Sequence, residues 1–241
     1  MKYKLSLILC LAGSLLYAQQ AEKGKYDELA QKVEKKIKKD DKIRIDGMQV
    51  LDLEGTIYLE GVADMLGARV RAEHVASETD GVIKVDNQIA VKSGEVKDEE
   101  IQAELVNKIQ RHLIRGPFDL VSVHVNHGFV TLLGIVRDTT IRDKAYEDAI
   151  WIRGVREVDN KIRFASVGAG DERLRRAIYN KLSREYPQYF LGTVPQIVII
   201  VENARVLLIG AVNSPVERDK IGMEIRSFGG VLSLDNRLEA H

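Results

Sequence analysis

Hydrophobic residues recur four apart over three separated stretches: Leu29, Val33 and Ile37; Ile101, Leu105 and Ile109; Leu174, Ile178 and Leu182. That spacing lays one apolar stripe along a helix. Alternation follows. Val121, Val123 and Val125 stand between polar residues, His127-Gly128 interrupts, and Phe129 to Val136 returns. A period of two with a glycine at the break predicts a β-hairpin. A second helical stripe comes next: Ala72, Ala76 and Thr79; Ala145, Ala149 and Ile152; Ile221, Ile225 and Phe228. A last strand is predicted over 82–91, 155–164 and 231–238. The order is helix, strand, strand, helix, strand, three times over.

The repetition is residue by residue. Taking Gly61, Gly134 and Gly210 as anchors, a turn lies six residues before each, at Glu54-Gly55, His127-Gly128 and Asn203-Ala204. An arginine stands eight residues after each (Arg69, Arg142, Arg218) and a glycine twenty after (Gly81, Gly154, Gly230), followed by valine. Asp86-Asn87, Asp159-Asn160 and Asp235-Asn236 complete the frame without a gap. Such self-similarity marks tandem copies of one supersecondary unit. The expected fold class is α+β: three α-β-β-α-β modules over 26–92, 97–165 and 170–240, each a small three-stranded sheet with two helices on one face. The second strand, helix and third strand should form a right-handed crossover. The order of strands in the sheet stays open.

Local chemistry refines the boundaries. Asp98 with Glu99 and Glu100, and Asp171 with Glu172, place acids where helix amides are free and the dipole is positive. Ser214-Pro215-Val216-Glu217 reads as a capping box with proline at the first helical position. The glycines at Gly81, Gly154 and Gly230 are expected to end the second helix as left-handed caps.

The first residues read differently. Lys2 and Lys4 precede an apolar run from Leu5 to Leu16, and Leu16-Tyr17-Ala18 precedes Gln19, the order of a secretory signal peptide over 1–18. The single cysteine, Cys10, lies inside that run and follows Leu9, so it does not fit a lipoprotein site. The expected mature chain has no disulfide and no thiolate. Removing Lys2 and Lys4 takes the 36 basic residues to 34 against 36 acidic ones, a net charge of −2. That balance gives no footprint for nucleic acid. No later segment reaches the roughly 20 apolar residues of a membrane span. His124 and His127 flank a strand end, His74, His112 and His241 have no ligand partner at useful spacing, and no G-x-S-x-G, Walker A or H-E-x-x-H motif occurs. No metal, cofactor or catalytic residue is expected.

The segment Asn126 to Gly134, the Ala145/Ala149 helix and Gly154-Val155 through Asp159-Asn160 resemble the BON domain, found in osmotically induced periplasmic and nodulation-type bacterial proteins. Copies one and three match with weaker turns, and the resemblance covers roughly residues 26 to 240. It implies an envelope location and attachment to phospholipid, cell wall or protein partners. It brings no catalytic residue.

Positions peculiar to one copy are the candidates for function. In copy three, Val198, Ile200, Leu207 and Ile209 make the second face of the hairpin apolar, where copy two has Ser122, His124, Thr131 and Leu133. A sheet apolar on both faces is covered on both; the cover is either a neighbouring module or a dimer or partner surface. In copy two, Tyr146, Ile150 and Trp151, followed by Arg153 and Arg156, suit either a membrane interface or packing between modules. In copy three a longer link brings Tyr189, Phe190 and Leu191, which either contact lipid or partner or close the end of a small core. The charges Lys35-Lys36-Ile37-Lys38-Lys39 read as a solvated helix end or an anionic-lipid contact.

The sequence therefore predicts a non-catalytic, periplasmic envelope protein. The residues alone indicate a binding module; the resemblance implies an anionic phospholipid surface or envelope proteins as the partner, with homo-oligomers possible. A stress chaperone or scaffold acting through the copy-three sheet face is the alternative.

Overall fold

A computed structural model of the chain describes residues 28–92, 96–112, 116–165, 168–192 and 195–241. The expected signal peptide, Cys10, and parts of the two inter-module connections lie outside the described residues. The chain divides into two compact units, residues 1–95 and 96–241; the second holds two modules.

Module 1 runs α1 (Glu28–Lys39), β1 (Ile45–Leu53), β2 (Thr56–Ala63), α2 (Leu66–Ser77), β3 (Lys84–Asn87) and β4 (Ala90–Val91). Module 2 runs α3 (Asp98–His112), β5 (Leu120–Asn126), β6 (Phe129–Val136), α4 (Thr139–Ile150) and β7 (Glu157–Phe164). Module 3 runs α5 (Ala169–Glu185), a 3-10 turn (Pro187–Tyr189), β8 (Ile197–Glu202), β9 (Arg205–Val212), α6 (Pro215–Arg226) and β10 (Ser233–Ala240). In each, the first two strands pair antiparallel and the third pairs parallel to the second, so the hairpin's return strand is central. The middle place falls to the strand that takes part in both the hairpin and the crossover.

The three hairpins share one turn. Both turn residues have positive φ: 53° and 83° at Glu54-Gly55, 51° and 76° at His127-Gly128, and 52° and 59° at Asn203-Ala204. That is the type I′ geometry whose twist suits paired strands. The anchor glycines answer to space. A Cβ at Gly134 would lie 2.1 Å from the Leu120 carbonyl oxygen, and one at Gly210 1.8 Å from that of Gln196.

The repeated asparagine links helix to sheet. Asn87, Asn160 and Asn236 each donate from Nδ2 to the carbonyl of Arg69, Arg142 and Arg218, at 3.0, 3.1 and 3.1 Å. Each also accepts, through Oδ1, the amide two residues on. This pair of bonds ties the second helix to the third strand and explains the shared spacing.

Burial follows the alternation. In module 2, Val123, Val125, Val130 and Leu132 are buried with Ile101, Leu105, Ile109, Ala145, Ala149 and Ile152, while Ser122 and His124 face out. Both helices therefore cover one sheet face.

Three local expectations change. The second helices end at Ser77, Ile150 and Arg226, before the glycines at plus 20. Those glycines, with φ of 101°, 88° and 93°, close a following turn in which Val82, Val155 and Val231 donate back to Thr79, Ile152 and Phe228. The third strands start later than expected for that reason, and module 1's is broken between Asn87 and Ala90. Finally, the Asp98 and Asp171 carboxylates serve the hairpin turns, not their own helices. Asp98 accepts the amides of His127 and Gly128 at 2.6 and 2.9 Å, and Asp171 those of Asn203 and Ala204 at 2.7 and 2.9 Å.

Candidate functional site

Modules 2 and 3 meet along the second apolar face of β8 and β9. Ile200, 2% exposed, packs with Ile135 and Ala165 of module 2, and Val198 and Leu207 pack against the same cluster. Ile209 is half-buried on that face. The neighbouring module thus covers Ile200 and part of Val198 and Leu207, while Ile209 lies outside that cluster. Arg163 of β7 grips Glu202 of β8 with two hydrogen bonds of 2.8 and 2.7 Å.

The outer edge of β8 is also closed. Its Ile199 amide donates to the Pro117 carbonyl at 2.6 Å, and its Val201 carbonyl accepts from Arg175 at 3.2 Å. An edge so occupied is not open to strand addition. Arg175 is fully buried, its second partner is Glu172, and its Cζ lies 6.0 Å from the Phe118 ring centroid. Burial pushes its guanidinium down from the ordinary arginine value, and Glu172 opposes that shift. Hydrogen bonding to Arg176, and the charges of Arg175 and Arg137, hold Glu172 below the usual carboxylate range.

This junction frames a cleft of about 450 Å³ lined by Phe118, Tyr179, Phe190, Arg137, Arg176 and Glu172 among others. Tyr179 stands edge-on to both Phe118 and Phe190, with centroids 5.5 Å apart in each pair. Arg137 stacks over Phe118 at 4.8 Å and pairs with Asp119 at 3.2 Å. The cleft thus joins three rings to guanidiniums whose acids are partly shared. Glu172 alone serves Arg175 and Arg176, with Arg137 at 3.9 Å. Phe118, Tyr179, Arg137 and Arg176 were not singled out by the sequence. They come from different modules, and no spacing along the chain connects them.

The longer link of module 3 is a strap on α6. Tyr186 donates to Glu224 at 3.1 Å, and Tyr189 donates to Glu217 at 2.5 Å while accepting the Asn213 amide at 2.9 Å. Burial first, then the glutamate bond, raises both phenols above their ordinary value. Tyr189 is 1% exposed and belongs to the module 3 core, the second of its two expected places. Its hold on Glu217 also leaves the capping box half made, with Ser214 accepting the Glu217 amide at 3.2 Å. Phe190 lines the cleft, and Leu191 is 81% exposed.

On module 2, Tyr146 and Trp151 are half-buried and Arg153 is exposed. Ile150 is corrected to an interior residue: the last turn of α4 buries it beside Ala149. The exposed Phe129 and Phe164 each lie under an arginine, Arg156 at 5.3 Å and Arg142 at 4.6 Å. Among the described residues, no group of three or more His, Cys, Asp or Glu could hold a metal ion, and no helix is long and apolar enough to cross a membrane.

The BON-domain family model matches residues 26–93, 97–166 and 170–240. The chain belongs to the BON-domain family, three copies in tandem. This family is associated with envelope and periplasmic proteins and is generally non-catalytic. Among solved structures, the C-terminal domain of CdsD, a structural protein of the type III secretion system of Chlamydia trachomatis, is similar at 13% identity, covering 89% of this chain and 98% of that one with a TM-score of 0.26. A second CdsD structure gives 13% identity, 89% and 94% coverage and a TM-score of 0.25. Likenesses this distant carry no functional argument. A comparison with curated proteins gives no match.

Proposed function

We propose that this chain is an exported, non-catalytic binding protein of the bacterial envelope, and that modules 2 and 3 dock on its anionic phospholipid surface. The observation that carries the reading is the junction cleft with its exposed neighbour Leu191, where an aliphatic tip, three aromatic rings and the guanidiniums of Arg137 and Arg176 come together. Amphipathic rings and aliphatic groups favour headgroup depth. Each cation held near an anionic surface adds about 1 kcal/mol, reduced by salt. Tyr146, Trp151 and Arg153 offer module 2 a second contact of the same chemistry. With 36 basic and 36 acidic residues in the chain, and two fewer basic ones in the expected mature form, attraction has to come from these local cations.

Flotation of the mature protein with phosphatidylglycerol-containing and purely zwitterionic vesicles tests the reading, wild type beside Leu191→Glu and Trp151→Glu. Binding selective for the anionic vesicles, abolished by Leu191→Glu and weakened by Trp151→Glu, is expected. A wild-type protein that floats with neither vesicle would overturn the lipid reading and leave envelope proteins as the partners.

A further inference from the structure

Comparison of the three modules at one structural position points to a second binding site, on module 3 alone. The place lies between the start of the first helix, the hairpin turn and the loop after the second helix. In module 1 it is bridged: Lys32 donates to the Asp80 carbonyl at 3.3 Å and stands 3.7 Å from its carboxylate. In module 2 it is filled from the preceding chain: a Cβ at Gly154 would meet Val96 Cβ and Ile101 Cδ1, each at 3.0 Å. In module 3 the residues equivalent to Lys32 and Asp80 are Ala177 and Gly229, and neither device is present. A Cβ at Gly230 would meet only Leu174 Cδ1, at 3.7 Å, and one at Gly229 nothing within 4 Å. Helix α5 begins at Ala169, so the chain that supplies Val96 in module 2 is here wound into the helix, with Ala169 exposed.

What remains is a groove of about 440 Å³ with Leu174, Ala177, Phe228, Gly229 and Gly230 in its lining, and Arg173 beside them. Arg173 stands where the other two modules carry Glu28 and Glu100. We propose that this groove binds an extended peptide segment of a protein partner, seating one branched aliphatic side chain on Leu174 and Phe228 and an adjacent carboxylate on Arg173. The occupant is read from module 2, where the same space takes a valine from a non-helical stretch of chain. The two glycines let a peptide backbone approach closely. The Asp171 carboxylate, spent on the turn amides, does not compete for Arg173. This site is separate from the junction cleft proposed to meet lipid and stands whether or not vesicles bind.

The test uses the 15N-labelled full mature chain and the probe peptide acetyl-Gly-Glu-Val-Glu-Gly-amide. Saturable shifts are expected at the amides of Ala177, Ala204, Gly229 and Gly230, with Kd in roughly the millimolar range set by one side chain and one ion pair. A probe with glycine in place of valine should bind about tenfold more weakly or not at all. The double variant Ala177→Lys with Gly229→Asp, which transplants the bridge of module 1, should lose the shifts while keeping its melting temperature and its vesicle flotation. No saturable shift, or the same shift in the bridged variant, would overturn the proposal. Shifts at these amides with dihexanoyl phosphatidylglycerol but not with the peptide would overturn it too, and make the groove an acyl-chain site.

Discussion

Asp171, in the first turn of α5, holds Ala204 in a left-handed backbone conformation 33 residues away, its Oδ1 accepting the Ala204 amide at 2.9 Å while Oδ2 takes that of Asn203 at 2.7 Å. Modules 1 and 2 place glycine at the turn position that Ala204 occupies. The φ of 59° costs alanine about 1 kcal/mol or more. Ala204→Gly should therefore stabilise the protein by about 0.5–1 kcal/mol, the gain being trimmed by glycine's extra freedom in the unfolded chain. Asp171→Asn sets an amide NH2 against one of the two turn amides and should cost about 1–3 kcal/mol. Urea unfolding of both variants beside wild type checks the opposite signs.

The matching carboxylate of module 2 sets an acid limit. The Gly128 amide, then that of His127, hold Asp98 below its ordinary value of 3.8. A carboxyl lowered on folding stabilises the native state above its unfolded pKa, and this contribution is lost as pH falls through the lower folded value. Glu172 and Asp138 are shifted the same way. The urea midpoint should show no loss from these groups between pH 7 and about pH 5, then fall below about pH 4. Asp98→Asn should flatten that fall.

Ile200 tests the joining of modules 2 and 3. Ile200→Ala removes a buried side chain from the cluster with Ile135 and Ala165 and should cost about 2–4 kcal/mol. Ile200→Asp should go further and, at a pH where the carboxyl is ionised, split the calorimetric transition of residues 96–241 into two, because module separation returns the buried charge to water. A single unchanged transition in the aspartate variant would show that this contact does not couple the modules.

Tyr189 and Leu191, two residues apart, should fail in opposite ways. Tyr189→Phe deletes the hydroxyl that serves Glu217 and the Asn213 amide, so about 1–3 kcal/mol of stability should go while vesicle flotation stays. Leu191→Glu should leave the melting temperature within about 2 °C, as an exposed substitution away from packing does, and abolish flotation.

Much of the architecture was legible because each module needs only local contacts to declare itself. Stripes such as Ile101–Leu105–Ile109 and alternation such as Val121–Val123–Val125 answer to helix and strand geometry alone. The recurrence of Arg142 and Asn160 at equal spacing marked the repeat, but that the Asn160 amide donates to the Arg142 carbonyl is a contact only the folded module makes. The candidate site was less legible. Tyr189, Phe190 and Leu191 are consecutive and apolar, and nothing in that run says that the first turns inward to Glu217, the second lines a cleft and the third faces water. Ile150 is a similar case: its distance of four from Tyr146 places both on one helix side, yet Ile150 is buried beside Ala149 while Tyr146 stays half-buried.

By itself the sequence determined the module, its three copies and its α+β elements, since periodicity and turn chemistry act within about 70 residues and repeat. Only the tertiary structure decided that the second strand is central, that module 2 covers the apolar sheet face of module 3, and that Phe118, Arg137, Tyr179 and Phe190 share a cleft. Those outcomes depend on which surfaces meet across long stretches of chain. Apolar burial is non-directional and proportional to area, so a pattern can state that a face must be covered without stating by what.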